Sequence, residues 1–172
     1  MRMQKSLQKT PTADETSGAN GFTMEKTSYK ERIIAMNDAL NRHVIDGIGA
    51  HFADNFVWRG GAGPGTKSSL KEFQDGWQRP FLSAFKDKFT TIDLILEDGD
   101  LVAAYGTVEA THSGDFLGMP ATGKRIKLKY MDFWRFDENG DCVENWVHLD
   151  IIDAFRQMGR DLLDGKGWDD RR

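Results

Sequence analysis

Apolar side chains recur at steps of three or four from Tyr29 through Ile33, Met36 and Leu40 to Val44. That spacing predicts one amphipathic helix. Ser28, followed three positions later by Glu31, supplies a capping box for its first turn. After Gly47 and Gly49 a second short helix carrying His51 and Phe52 is expected, broken at Asp54-Asn55, and Phe56-Val57-Trp58 reads as a short strand. Ser69 and Glu72 form a second capping box, opening a helix whose apolar stripe is Leu70, Phe73, Trp77, Phe81 and Phe85. Pro80 is expected to kink or end that helix. So aromatic a face must lie against a large apolar surface, most simply a sheet.

From Phe89 the period changes from helical to alternating. Residues 89–97 and 101–111 read as strands joined by a tight turn at Asp98-Gly99. An excursion over 113–123 leads to a strand at Arg125–Phe136, and Asn139-Gly140 turns the chain into Cys142–Asp150. In the strand at 125–136, Ile126, Leu128, Tyr130, Asp132, Trp134 and Phe136 share one face, and Arg125, Lys127, Lys129 and Arg135 share the other. A last helix, Ile151–Gly159, carries Ile152, Phe155 and Met158. Helices followed by hairpin-linked strands imply an α+β fold with an antiparallel sheet, because the crossovers of a parallel βαβ fold are missing.

Composition narrows the function classes. The 172 residues suit one domain with a substantial core, and a net charge of -4 with no basic stripe gives no reason to expect nucleic acid. Cys142 is the single cysteine, so no intramolecular disulfide or cysteine-based zinc site can form. It reads as a small buried hydrophobe, and a cytoplasmic location is expected. No run approaches the ~20 apolar residues of a membrane span, and the N-terminus lacks the apolar core of a secretory signal. Residues 1–26 are polar and read as a flexible extension, 27–160 as the domain and 161–172 as a tail. The run at 60–66, Gly-Gly-Ala-Gly-Pro-Gly-Thr, lacks the Gly-Lys-Ser/Thr ending of a phosphate cradle and reads as a loop at a pocket mouth.

The run Thr111-His112-Ser113-Gly114-Asp115-Phe116-Leu117-Gly118-Met119-Pro120-Ala121-Thr122-Gly123-Lys124 resembles the signature of the SnoaL-like polyketide cyclases, in the nuclear transport factor 2-like superfamily. The resemblance continues through Asp132-Phe133-Trp134-Arg135, Glu144-Asn145-Trp146, Asp150 and Gln157-Met158-Gly159, covering about residues 28–160. It implies a cystatin-like, cone-shaped α+β barrel: N-terminal helices on a curved antiparallel sheet, a short C-terminal helix and one deep apolar pocket. It also implies closure of a polyketide ring by intramolecular aldol condensation, without metal or organic cofactor. Family members often carry an aspartate directly after the tryptophan, where Val147 stands here, and another three residues beyond, where Asp150 stands.

An aldol closure needs a base beside a carbonyl and an acid for the new alkoxide, and one desolvated carboxyl group can serve as both. Asp132 interrupts an apolar strand face, which is costly unless the carboxyl is hydrogen-bonded or used chemically. His148 and Asp150 alternate with Trp146 and are expected on one face. His148 titrates near neutrality and can stand in for the aspartate absent at Val147, whereas Asp150 either joins the site or caps the last helix. Asp132, His148 and Asp150 are therefore the candidate catalytic set. His112 either lines the pocket rim or anchors the excursion loop, and Trp58, Trp77, Tyr130, Trp134 and Trp146 are candidate substrate contacts. His43 and His51 read as ordinary histidines, and no local spacing supports a metal site. The expected partner is a small hydrophobic ligand or substrate. The alternative is a non-catalytic ligand-binding or interaction domain, with hydrolase or dehydratase chemistry a weaker third. Met131 and Phe133, outward among Arg and Lys, predict a homodimer through the sheet.

Overall fold

The structure, a computed structural model, describes residues 28–166. The expected extension over 1–26 lies outside the described residues, and the expected tail is described only as far as 166. The first helix, α1 (Tyr29–Asn41), starts where expected. Ser28 Oγ accepts from the Glu31 N–H, and the Glu31 carboxylate accepts from the Ser28 N–H. It stops at Asn41 because His43 turns to a positive φ of 60°. Val44, expected on its apolar stripe, is thus beyond the helix and exposed.

The expected second helix is a short 3-10 turn, Asp46–His51, and Phe52 already opens strand β1 (Phe52–Arg59). A two-residue strand β2 (Thr66–Lys67) follows the glycine-rich loop. The segment from Ser69 is helical throughout but in three pieces: α2 (Leu70–Phe73), a π turn (Gln74–Gln78) and α3 (Arg79–Ala84). Pro80 therefore neither ends the helix nor stands in its middle. Pro80 lacks an N–H and its ring would crowd the carbonyl four residues back, and the wider turn just before it relieves both problems. The turn also rotates Trp77 and Gln78 into the interior, where both are buried.

Strands β3 (Phe89–Asp98), β4 (Leu101–Thr111), β5 (Arg125–Phe136) and β6 (Cys142–Leu149) complete a six-stranded curved sheet in the order β2-β1-β6-β5-β4-β3. The sheet is antiparallel except between β1 and β6, which run parallel. That pairing departs from the wholly antiparallel expectation, since everything from β2 to β5 intervenes and no local turn signal encodes it. Register shifts in β3–β4, β5–β6 and β1–β6 bend the sheet around the helices. The closing helix α4 (Ile151–Met158) buries Ala154, Phe155 and Met158 and leaves Ile152, expected on its inner stripe, exposed. Gln157 ties it to β5, with its amide accepting from the Lys127 N–H and donating to the Lys127 carbonyl.

The aromatic stripe of α2–α3 packs on β1 and on the excursion loop. Trp58 stacks on Trp77 at 5.3 Å, Trp77 on Phe81 at 5.2 Å, and Phe85 meets Phe116 edge-on at 4.9 Å. On the sheet, Tyr130 reaches across β4 to donate its hydroxyl to the Thr91 carbonyl at 3.1 Å. Gly106 makes that crossing possible. A Cβ there would lie 2.0 Å from the Thr91 carbonyl oxygen and 2.7 Å from the Tyr130 hydroxyl.

Candidate functional site

Between α1, the helical segment 70–84 and the inner face of the sheet lies a cavity of about 150 Å³. That is the volume of a site able to hold one aromatic ring. Its wall is mostly apolar: Ile33, Met36 and Leu40 from α1, Trp58 from β1, Phe73, Trp77 and Phe81 from the helical segment, and Tyr130 and Trp134 from β5. Against this background the polar side chains are few; Asn37, Tyr130 and Asn145 are hydrogen-bonded and others are not. Among the described residues, four buried side-chain polar atoms have no hydrogen-bond partner: Asp132 Oδ1, Lys88 Nζ, Gln78 Oε1 and His112 Nε2. The first three belong to residues that line the cavity. Buried polar groups are normally satisfied, so three such atoms around one apolar pocket set it apart from the rest of the interior.

Asp132 reaches the cavity because β5 alternates and its even-numbered residues from 126 to 136 face inward. Burial, with no compensating hydrogen bond to the carboxyl, raises its pKa to about 8. Its cross-strand partner on β6 is Val147, also in the cavity wall. Asn145, in register with Trp134, is buried beside them and donates to the Phe133 carbonyl at 3.0 Å.

The other expected catalytic residues are placed elsewhere. His148 is in register with Met131 and Trp146 with Phe133, so both lie on the outer face of the sheet. His148 is exposed, and the Trp146 ring lies under the Arg135 guanidinium at 5.1 Å. The inward residues of β6 are Asn145, Val147 and Leu149. Asp150 caps α4, accepting from the Asp153 N–H at 3.1 Å. His112 is fully buried at the base of the excursion loop, with Nδ1 3.0 Å from the Thr122 hydroxyl and its ring 5.5 Å from that of Phe85. Desolvation lowers its pKa, which favours the neutral ring. It anchors the loop and does not line the cavity. Of the expected substrate contacts, Trp58, Trp77, Tyr130 and Trp134 line the cavity. The sequence reading missed Lys88 and Gln78. Lys88 sits in the turn between α3 and β3, and Gln78 owes its orientation to the π turn, so neither belongs to a periodic pattern.

Comparison with known proteins fits this arrangement. The family model of the SnoaL-like polyketide cyclases matches residues 31–158. No curated protein matches the chain. Among solved structures, it is similar to AclR from Streptomyces galilaeus, provisionally assigned as a hydroxylase, at 28% identity and a TM-score of 0.67, over 76% of this chain and 95% of that one. It is similar to IdmH from Streptomyces antibioticus, provisionally assigned as a polyketide cyclase, at 26% identity and a TM-score of 0.67, over 77% and 99% of the two chains. TsrD from Streptomyces laurentii shares the fold at 20% identity and a TM-score of 0.67, over 79% and 98%.

Proposed function

The chain belongs to the SnoaL-like polyketide cyclase family, and on that premise we propose that it closes a ring in a hydrophobic carbonyl compound by intramolecular aldol chemistry, with Asp132 as the acid/base. The observation that carries this reading is one carboxyl group, unpaired at Oδ1, in the wall of an apolar cavity. Its ionised form is a stronger base than an exposed aspartate because burial raises its pKa to about 8. The carboxylate removes a proton beside one carbonyl, the resulting enolate carbon attacks the second carbonyl, and the carboxylic acid so formed protonates the new alkoxide. The proton returns and no electrons are transferred, so the step needs no redox partner. Trp58, Trp77, Tyr130 and Trp134 would hold the apolar body of the substrate. His148, Asp150, His112 and Trp146 do not line the cavity, so this reading assigns them no contact with substrate.

The rival reading is a ligand-binding domain without catalysis. Val147 favours it, because it stands where the family often carries an aspartate and leaves Asp132 without a second carboxyl beside it. Screening β-keto esters and polyketide-like compounds against the wild type and Asp132→Asn separates the two. Turnover lost in the variant supports the enzyme with Asp132 as its acid/base, equal turnover removes Asp132 from the mechanism, and a wild type that binds these compounds without turning them over supports the binding domain.

The same reading includes a homodimer through the outer sheet face. There Leu94, Tyr105 and Met131 form one cross-strand row, and Leu96 and Phe133 belong to the next, all partly exposed. It also keeps a cytoplasmic location, which suits the lone buried thiol of Cys142. Among the described residues, no helix is long and apolar enough to cross a membrane.

A further inference from the structure

Lys88 and Gln78 are the unpaired polar residues of the cavity that the aldol reading leaves unused, and of the two only Lys88 can carry a charge. It sits in the turn from α3 into β3, where its N–H donates to the Phe85 carbonyl at 3.0 Å, and its side chain contributes to the cavity wall. The Nζ is buried and has no hydrogen-bond partner. The adjacent carboxylate is already engaged. Asp87 accepts from the Thr111 N–H at 2.6 Å, the Thr111 hydroxyl at 2.8 Å and Arg125 at 2.7 Å. Asp132, in the same cavity, makes no hydrogen bond or ion pair with Lys88 either. An ammonium group without an anion in an apolar wall is costly, and that cost is offset when a ligand brings the missing charge.

We propose that the cavity takes an apolar ligand bearing one anionic oxygen, a carboxylate or the enolate of a β-dicarbonyl, and that this oxygen is held by Lys88 Nζ. The charge state of the cavity agrees. Burial lowers the Lys88 pKa only to about 8, so the amine is largely protonated at neutral pH. Asp132, raised to about 8, is then largely neutral, so the polar set carries a net positive charge. For each group burial is the sole cause of the displacement, as expected of two groups that do not pair with each other. A ligand headgroup can therefore touch the lysine without breaking an existing ion pair. The inference deepens the aldol reading, because an enolate formed by Asp132 is an anion of the kind Lys88 would stabilise, but it also holds for a cavity that only binds.

The test uses ligands of one-ring size, matched to a cavity of about 150 Å³. Binding of benzoate and of its neutral counterpart benzamide is measured at pH 7 by calorimetry and by fluorescence of the wall tryptophans. Benzoylacetone is titrated in parallel, with the enolate read by its ultraviolet absorbance. The wild type should prefer benzoate over benzamide roughly tenfold or more, as a charge-assisted hydrogen bond implies. If the enolate is the better occupant, bound benzoylacetone should instead ionise at a pH at least one unit lower than in solution. Lys88→Met should lose whichever effect the wild type shows. Benzoate binding should also weaken above about pH 8 while benzamide binding does not, and it should do so in Asp132→Asn as in the wild type, because no carboxylate then ionises beside the ligand.

Equal binding of benzoate and benzamide together with an unshifted benzoylacetone ionisation would overturn the proposal. So would an anion preference that survives in a folded Lys88→Met. Asp132→Asn distinguishes this idea from the catalytic one. Lost turnover with the anion preference intact supports both, whereas unchanged turnover with that preference intact removes the acid/base role and leaves the anion site standing.

Discussion

Asp132 and Val147 are direct cross-strand partners on β5 and β6, and both face the cavity. Side chains in such a pair sit about 5 Å apart at Cβ. The one inward carboxyl in this wall is thus a single ladder step from the position at which related cyclases often carry theirs. If the reaction needs one carboxyl in this part of the cavity, exchanging the two residues should retain chemistry that single loss abolishes. Asp132→Val should lower kcat by roughly 10²- to 10⁴-fold, the usual contribution of a positioned acid/base. Adding Val147→Asp should restore at least tenfold of that loss. Turnover rates of the three variants on one β-dicarbonyl substrate check it, and no recovery in a folded double variant would count against the exchange.

The raised pKa of Asp132 gives a second expectation, in both rate and stability. As a base the group acts when ionised, so kcat/KM should rise with pH, pass its half-maximum at about pH 8 and level off only above it. Its folded pKa lies above the ordinary value of 3.8, so the folded state holds a proton that the unfolded chain releases. The stabilising effect is complete below about pH 4 and is lost as pH rises through about 8. Asp132→Asn has no such loss. The variant's melting temperature should therefore exceed the wild type's by an increasing margin between pH 5 and pH 7.5, with little difference near pH 4. Burial depresses Lys88 instead, so its own contribution changes from about pH 8 upward and stays clear of this window.

Much of the fold was legible because its signals are local. Ser28 with Glu31 and Ser69 with Glu72 marked both helix starts, and the alternation of β5 put Asp132 on the inward face. What escaped depends on contacts distant in sequence. Period-two alternation groups Trp146 with His148 but does not say which face of β6 is inward. The large indole suggested the pocket, whereas register with β5 puts Asn145, Val147 and Leu149 there. The parallel β1–β6 pairing is hidden for the same reason. Lys88 could not be read as a cavity residue because a lysine in a turn ordinarily reaches into water.

On the proposed reading, the outward position of His148 and the capping role of Asp150 keep both from touching substrate. His148→Ala should leave kcat/KM within twofold of the wild type. Asp150→Ala should cost about 1 kcal/mol of stability, typical of a lost N-cap, at unchanged kcat. Urea melts and steady-state rates measured together check both. A hundredfold rate loss in either folded variant would return that residue to the catalytic set.

Gly106 should tolerate no side chain. In Gly106→Ala the new methyl would meet the Thr91 carbonyl and the Tyr130 hydroxyl, so β3 and β4 must separate or Tyr130 must leave its hydrogen bond. Overpacking of this kind costs roughly 1–3 kcal/mol. Tyr130 lines the cavity, so ligand affinity should fall together with stability. Chemical denaturation and benzoate titration of the same sample check the pair of effects.

The last expectation concerns the outer sheet face. Met131 and Phe133 are 44% and 42% exposed, and Leu94 and Leu96 on β3 are 57% and 60% exposed. These side chains occupy neighbouring rows, with charged residues such as Lys129 and Arg135 on the same face of β5. An apolar strip with a charged surround is what a second sheet can cover, and self-association through it would be isologous. Phe133→Glu would then place a carboxylate in the centre of the contact on both copies. It should shift the chain from dimer to monomer in sedimentation velocity without changing the cavity, because residue 133 points away from it. Arg135 lies on the same face, so Phe133→Lys, which adds like charge, should dissociate the dimer at least as well. A wild-type chain that sediments as a monomer at concentrations well above micromolar would sink the dimer outright.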